Sequence, residues 1–276
     1  MSKPLQDSAM LVAISISQWT ARKHDRSVSQ EVDVTHGAKD GGRYNKLLIR
    51  KDALDPIDKV ASAARAYLYK VTFPWGDNGD RLLPAALFMD FAQTMQQFRS
   101  EFDARVREFV KEYPALTQEA RVRLGTLYDA GDYPSDVRSK FVFNQPSITP
   151  VPDAADFRVD LSAEYVEVIK RDITERMNER QDGTRKECWS RLRTHVSTLA
   201  DRLGNDKSKL FDSLISNPKE FLAILPAMNL MNDTDLTRVA AELQDILVPI
   251  ERLRTDKSLR NDIAGRAARI LQDMPQ

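Results

Sequence analysis

An apolar stripe in the second quarter of the chain constrains its fold more than any other feature. Its members recur every three or four residues: Phe88, Phe91, Met95, Phe98, Phe102, Val106, Phe109 and Tyr113. Because an α-helix turns once in about 3.6 residues, this spacing places all of them on one face of a helix. So many aromatic rings on one face form an apolar surface that must be buried against protein. The sequence therefore predicts long, packed helices.

Two further stripes lie in the C-terminal part of the chain. One covers residues 166–177 and the other residues 189–203, each with a spacing of three and four. On one continuous helix the two stripes would lie roughly a third of a turn apart, and Asp182-Gly183 lies between them. We therefore predict a break or a hairpin at this dipeptide. Pro114 is predicted to end the Phe-rich helix, because proline lacks the N–H that a helix interior needs.

Strand patterns are few and short. Residues 11–19 alternate between apolar and polar side chains, which predicts a strand with one buried face. Residues 141–143 and 157–161 predict two more strands, joined by a proline-rich segment. The predicted fold is α+β and predominantly α-helical, with long packed helices and a small sheet built from the N-terminal and mid-chain strands. We expect an α+β domain at residues 1–161 and an all-helical region at residues 162–276.

Composition limits the class of protein. The 276 residues are 42% hydrophobic and 30% charged, enough to bury a core without metals or disulfides. Lys+Arg and Asp+Glu both number 41, so a polyanionic partner would have to be bound by a local patch. Cys188 is the single cysteine, so no intramolecular disulfide can form.

The same composition predicts a cytoplasmic protein. Residues 1–10 lack the apolar core of a signal peptide. No apolar run approaches the ~20 residues that cross a bilayer, so we expect no membrane association. A reducing compartment also fits a chain with one cysteine.

Residues 22–51 form a local basic segment. They include eight basic and four acidic residues, a net charge of +4. Single-stranded nucleic acid is bound by cations that neutralise phosphates and by aromatic rings that stack on bases. The residues of this predicted interface are Arg22, Lys23, Arg26, Lys39, Arg43, Tyr44, Lys46, Arg50 and Lys51. The alternative interpretation, a solvated surface segment without a ligand, stays open.

A glycine-rich stretch inside the basic segment matches part of a phosphate-binding loop. Gly37 and Gly42 have the G-x-x-x-x-G spacing and follow a short strand predicted at residues 32–34. However, Arg43 occupies the position of the phosphate-binding lysine, and Tyr44 occupies that of the Mg²⁺-binding hydroxyl. We therefore predict a flexible loop here and not a nucleotide site.

Catalytic and metal-binding patterns are missing from the sequence. His24, His36 and His195 have no metal-ligand spacing among themselves or with Cys188. Cys188 stands beside Trp189, which is typical of a packed side chain. The sequence therefore predicts a protein that is not an enzyme and that has no metal and no cofactor.

Aromatic side chains offer a second kind of interface. Heptad-like seams of this length form either intramolecular core or the contact between subunits. Trp75, in a glycine-containing turn, either anchors its loop or contacts a partner. The predicted interaction residues are Trp19, Trp75, Phe88, Phe91, Phe98, Phe102 and Trp189. They predict a homo-oligomer or a complex with another protein.

Five short segments carry a resemblance to known proteins. They are ISQWTARK at 16–23, GAKDGGRYNK at 37–46, FPWGDNGDRLLP at 73–84, DYPS at 132–135 and PVPDAADFRV at 150–159. In this order they resemble a family of uncharacterised proteins, a domain of unknown function found in tailed phages and proteobacteria. The resemblance covers roughly the first 160 residues. It implies a phage or prophage origin, hence the host cytoplasm, and an accessory role beside a MoxR-type AAA+ ATPase.

These observations predict that the protein functions by assembling with itself or with another protein. We expect a non-catalytic, phage- or prophage-encoded scaffold or adaptor that binds itself or an ATPase partner. The alternative is a nucleic-acid-binding protein of phage DNA metabolism that uses residues 22–51. Because no catalytic residues are known for the family, the resemblance transfers none.

Overall fold

The computed structural model describes residues 4–76, 79–156, 159 and 162–275. Over these residues the chain is 68% helical with a small antiparallel sheet, so the predicted class, predominantly helical α+β, is confirmed. In the described part of the chain the α-helices are α1 Leu5–Ser8, α2 Arg26–His36, α3 Asp55–Val71, α4 Phe88–Leu124, α5 Ala163–Gly204, α6 Ser213–Met228, α7 Thr234–Ile246, α8 Ile250–Thr255 and α9 Lys257–Asp273. The strands are β1 Ala9–Ala13, β2 Ile16–Ser17, β3 Arg22–His24, β4 Asn45–Leu47, β5 Phe73–Pro74, β6 Arg81–Pro84, β7 Val142–Phe143 and β8 Ser147–Pro150.

Contacts gather the chain into two interleaved units. The first unit comprises Met1–Ala13, Val71–Met89 and Ile148–Gln276, and the second comprises Ile14–Lys70 and Asp90–Ser147. This division differs from the expected single boundary after residue 161. The reason is the pairing of β1 with β6, which ties the N-terminal strand to the unit that contains the C-terminal helices.

The first unit contains a sheet of four strands in the order β5-β6-β1-β8. β1 and β6 are antiparallel, with Ala9 opposite Pro84, and β6 is antiparallel to β5. Helix α5 packs along α9, and its stripe Leu192, Val196, Leu199 and Leu203 is fully buried. The predicted 189–203 stripe is therefore core.

Helix α5 is continuous over 42 residues, about 63 Å, so the predicted break at Asp182-Gly183 is wrong. A glycine inside a helix costs only about 1 kcal/mol. Met177, Thr184 and Cys188 are buried on either side of Gly183, and this packing supports the helix through the glycine.

The second unit is built on α3 and α4. The ring of Phe102 lies edge-on to Phe143 with centroids 5.6 Å apart, and Phe109 lies edge-on to Phe141 at 5.5 Å. Strand β7, which carries Phe143, pairs antiparallel with β2. The predicted strand at 11–19 is thus two short strands, β1 and β2. The strand predicted at 157–161 lies outside the described residues except for Val159.

Helix α4 continues through Pro114 to Leu124, so the predicted end at Pro114 is wrong. A proline inside a helix removes one hydrogen bond and crowds the carbonyl four residues earlier. Leu116 and Ala120 are buried beyond the proline, and Thr117 Oγ1 donates to the Tyr113 carbonyl at 2.9 Å. Tertiary packing therefore outweighs the local preference. None of the helices within the described residues is long and apolar enough to span a membrane.

Candidate nucleic-acid interface

Most of the basic segment folds into a helix between two paired strands, which we call the α2 arm, residues 22–47. Strands β3 and β4 pair antiparallel at its base, with His24 opposite Asn45. The Asp25 N–H donates to the Tyr44 carbonyl at 2.9 Å and closes the base. Between the strands, α2 begins at a cap in which the Asp25 carboxylate accepts from the Val28 N–H, and it ends at Gly37, whose φ is +63°. The strand predicted at residues 32–34 is therefore helix.

Helix α2 has no buried side chain. Val32 and Val34, which a strand would have directed inward, are 49% and 83% exposed. A helix precedes Gly37 and strand β4 follows Gly42, which is the reverse of the order in a phosphate-binding loop. The glycine-rich stretch is therefore not a phosphate-binding loop.

Lys46 is the exception among the basic residues of the arm, because it is 6% exposed. Its Nζ lies 2.7 Å from Asp132 Oδ2 and 3.4 Å from Asp25 Oδ2, and it donates to the Leu127 carbonyl at 2.9 Å. The hydrogen bond to Asp132 raises the pKa of Lys46 above 10.5 despite its burial. Lys46 therefore anchors the arm, and the structure removes it from the predicted phosphate contacts.

Arg50 is also engaged within the protein. Its guanidinium lies 2.5 Å from Asp52 and 3.5 Å from Glu119. The arm residue Lys23 lies at 4.0 Å from Asp132. The remaining predicted cations are exposed and form no ion pair with any described residue: Arg22, Arg26, Lys39, Arg43 and Lys51. Tyr44 is 39% exposed.

A cleft of about 540 Å³ opens at the base of the arm. This volume falls within the range of small-molecule sites. Its apolar lining is Ile16, Trp19, Leu47, Ile49 and Leu54. Its polar lining is Gln18, Thr20, Arg22, Lys51, Asp58 and Arg65. We call it the Trp19 cleft.

Polar contacts organise one wall of the Trp19 cleft. Arg65 donates to the Gln18 Oε1 at 3.3 Å and to the Ile16 carbonyl at 3.1 Å. Gln18 Nε2 in turn donates to Asp58 Oδ1 at 2.7 Å. Loss of surrounding water raises the pKa of Asp58, and the nearby Asp55 carboxylate adds to the rise. Trp19 is half-buried, edge-on to Tyr113 with ring centroids 5.9 Å apart.

Three of the eleven lining residues were named from the sequence. Arg22 and Lys51 were predicted to bind nucleic acid and Trp19 to contact a protein, and the structure brings the three together. Arg65 and Asp58 were missed, because they belong to α3 and only the packing of that helix places them beside the basic segment. The helical pattern of α3 contains no signal for a ligand.

The predicted interaction residues do not form one surface. Phe91 and Phe102 are buried in the second unit, where Phe98 is half-buried against Tyr67, so these rings serve its own core. Phe88 is half-buried at the start of α4. In the first unit, the Arg180 guanidinium lies over the Trp75 ring at 5.8 Å.

Trp189 borders a second cleft, of about 520 Å³, in the first unit. Its indole Nε1 donates to Asp233 Oδ2 at 3.0 Å, so its polar edge is already bound within the protein. The cleft also carries Arg185, Lys186 and Arg193, but Arg193 donates to the carbonyls of Met274 and Pro275. We therefore place the better candidate at the Trp19 cleft.

Cys188 is buried, and burial raises the pKa of its thiol to about 12. A thiol that stays protonated at neutral pH is a poor nucleophile. The ring of His195 contacts Phe221, with centroids 5.0 Å apart. Among the described residues no group of three or more His, Cys, Asp or Glu side chains is arranged to hold a metal ion.

Comparison with family models, with curated proteins and with solved structures finds no match to this chain. The family resemblance and its implied ATPase partner therefore stay predictions.

Proposed function

We propose that the protein binds single-stranded nucleic acid in the Trp19 cleft. The observation that carries this proposal is the convergence of an indole ring with three cations, Arg22, Lys51 and Arg65, around one cleft. An aromatic ring gives a base a stacking surface, and cations beside it bind the flanking phosphates. One carboxylate, Asp58, shares the lining, so positive charge predominates.

The α2 arm extends this positive surface. Arg26, Lys39 and Arg43 are exposed on the arm that begins at the cleft. A strand of several nucleotides is longer than the cleft and needs such contacts outside it. Three other predicted cations are already paired within the protein: Lys23 and Lys46 with Asp132, and Arg50 with Asp52 and Glu119.

Neutralising the two cleft cations without an ion pair tests the proposal. We expect Arg22→Gln/Lys51→Gln to weaken binding of a fluorescent thymidine dodecamer at least tenfold at low salt. Each lost phosphate contact also makes the slope of log K against log salt shallower by about 0.7, so the slope for the double variant should be shallower by about 1.4. Fluorescence anisotropy at 50 to 200 mM salt measures both quantities.

Arg107→Gln/Lys140→Gln is the matched control, because it removes the same charge from two exposed positions on the same unit. It should retain nearly the full affinity and salt dependence. The proposal is contradicted if the unaltered protein does not bind the dodecamer at 50 mM salt, or if the control loses as much affinity as the cleft variant.

A second candidate function is a scaffold that forms by self-association, and helix α5 favours it. Its first 14 residues, 163–176, have no buried side chain, and Tyr165 and Val168 are 67% and 50% exposed. A second copy of the chain that pairs its own α5 with the same stretch would cover these exposed apolar side chains.

Solution mass distinguishes this candidate. We expect light scattering to give at least twice the 31.4 kDa of one chain, and Tyr165→Glu/Val168→Glu to return the mass to that of one chain. Val122→Glu, at an 86% exposed position of α4, is the control and should leave the assembly intact. A single-chain mass for the unaltered protein at micromolar concentration would contradict self-association.

A further inference from the structure

One wall of the Trp19 cleft presents hydrogen-bonding groups in a fixed order. Arg65 donates to Gln18 Oε1, so the amide is oriented with Nε2 toward Asp58. Gln18 Nε2 donates one of its two hydrogens to Asp58 Oδ1. Its second hydrogen and the Asp58 Oδ2 find no other partner within the described residues.

These unused groups make a short recognition edge. The carboxylate of Asp58 offers two acceptor oxygens, since Oδ1 keeps a second lone pair, and Gln18 Nε2 offers a donor beside them. Read along the wall, the order is acceptor, acceptor, donor. Arg65 fixes this order, because a rotated Gln18 amide would place its oxygen against the Asp58 carboxylate.

Among the bases, guanine has the complementary Watson–Crick edge. Its N2 and N1 donate and its O6 accepts, which matches two carboxylate oxygens followed by an amide N–H. Cytosine, adenine and thymine each direct a lone pair at a carboxylate oxygen in the same register. We propose that Gln18 and Asp58 select guanine in the Trp19 cleft, an inference that rests on the proposed nucleic-acid binding.

Guanine selection explains why a carboxylate lines a cleft that binds a polyanion. Asp58 would repel phosphate, so its presence disfavours binding unless it bonds to a donor on the ligand. Trp19, in the same cleft, supplies a ring on which the selected base can stack. Arg22 and Lys51 remain for the phosphates on either side.

Selection by a carboxylate depends on pH. Both Asp58 oxygens can accept from the guanine donors only when the carboxyl is ionised, and its pKa is raised above the ordinary 3.8. The preference for guanine is therefore complete at neutral pH and is lost as the pH falls through this raised value. The affinity for a strand without guanine does not fall with it.

Competition binding tests the inference with four thymidine dodecamers whose two central bases are G, A, C or T. We expect the guanine oligomer to displace a labelled all-thymidine strand at about tenfold lower concentration than the other three. Asp58→Asn should abolish this preference and bind the all-thymidine strand more tightly than the unaltered protein does, because the carboxylate that repels phosphate is gone. Asp55→Asn, a neighbouring acid in the first turn of α3, should keep the preference.

The outcomes separate the two proposals. If no dodecamer binds, the proposed function fails. If all four bind the unaltered protein equally, nucleic-acid binding stands and guanine selection is overturned. Selection is also overturned if Asp58→Asn keeps the preference, or, should that variant not fold, if the unaltered protein keeps it unchanged at pH 3, below the ordinary carboxyl pKa of 3.8.

Discussion

Replacing Phe102 with alanine should lower the free energy of unfolding by about 4 kcal/mol, the usual cost of truncating a buried phenylalanine. Phe102 is 0% exposed, and its ring meets Phe143 edge-on at 5.6 Å. Truncation removes the aromatic pair and leaves a cavity between α4 and β7. Urea unfolding followed by circular dichroism measures the loss as a lower midpoint.

Val122→Ala is the matched control for Phe102→Ala. Val122 lies on the same helix but is 86% exposed, so its truncation should change the stability by less than about 0.5 kcal/mol. Light scattering of both variants completes the test. If the Phe stripe were instead a contact between subunits, Phe102→Ala would change the mass of the assembly. An unchanged midpoint with a reduced mass would contradict an intramolecular core.

Lys46→Met should cost about 3 kcal/mol of unfolding free energy, because it leaves buried partners without their cation. The Asp132 carboxylate and the Leu127 carbonyl both lose Lys46 Nζ, which lies 2.7 Å and 2.9 Å away from them. Lys46→Met/Asp132→Leu should recover part of the loss, since neither member of that pair is then left charged. The measurement is again a urea unfolding curve.

Lys39→Met controls for the removal of a lysine from the same arm. Lys39 is exposed and should change the stability by less than about 0.5 kcal/mol. A Lys46→Met protein as stable as Lys39→Met would contradict the anchoring role.

The contribution of Lys46 to the free energy of unfolding should be lost at alkaline pH. A raised folded-state pKa gives a contribution that is complete below the unfolded value, 10.5, and disappears as the pH rises through the folded value. The difference between the unaltered protein and Lys46→Met should therefore hold from pH 7 to 10 and shrink above it.

The helical fold could be predicted because its stripes repeat with the helical period. The 189–203 stripe and the Phe stripe both proved to be core. The errors came from residues whose local preference is overruled by packing. Pro114 and Gly183 disfavour helix by themselves, but buried neighbours on both sides of each keep α4 and α5 continuous.

Helix α2 was missed for the opposite reason. It buries no side chain, so it has no apolar stripe, and Val32 and Val34 imitate the alternation of a strand. Its formation depends instead on the Asp25 cap and on Gly37 at its end. Such terminal signals are weaker in a sequence than a periodic apolar face.

The candidate site could be predicted only where it is local in sequence. Arg22 and Lys51 belong to the basic segment and Trp19 lies three residues before it, whereas Arg65 comes from α3. Lys46 lies inside the basic segment but was wrongly assigned to the site. Its charge suggested a phosphate contact, but Asp132, 86 residues later, already neutralises that charge. A count of charges does not reveal which of them are already neutralised within the fold.

The base of the α2 arm has a consequence for how this chain can vary. The β3–β4 pairing, together with the backbone hydrogen bond from Asp25 to Tyr44, holds the two ends of the 18-residue segment 26–43 side by side. A shorter turn between these paired ends would leave β3 and β4 in register, but it would remove Arg26, Lys39 and Arg43, the exposed cations of the arm.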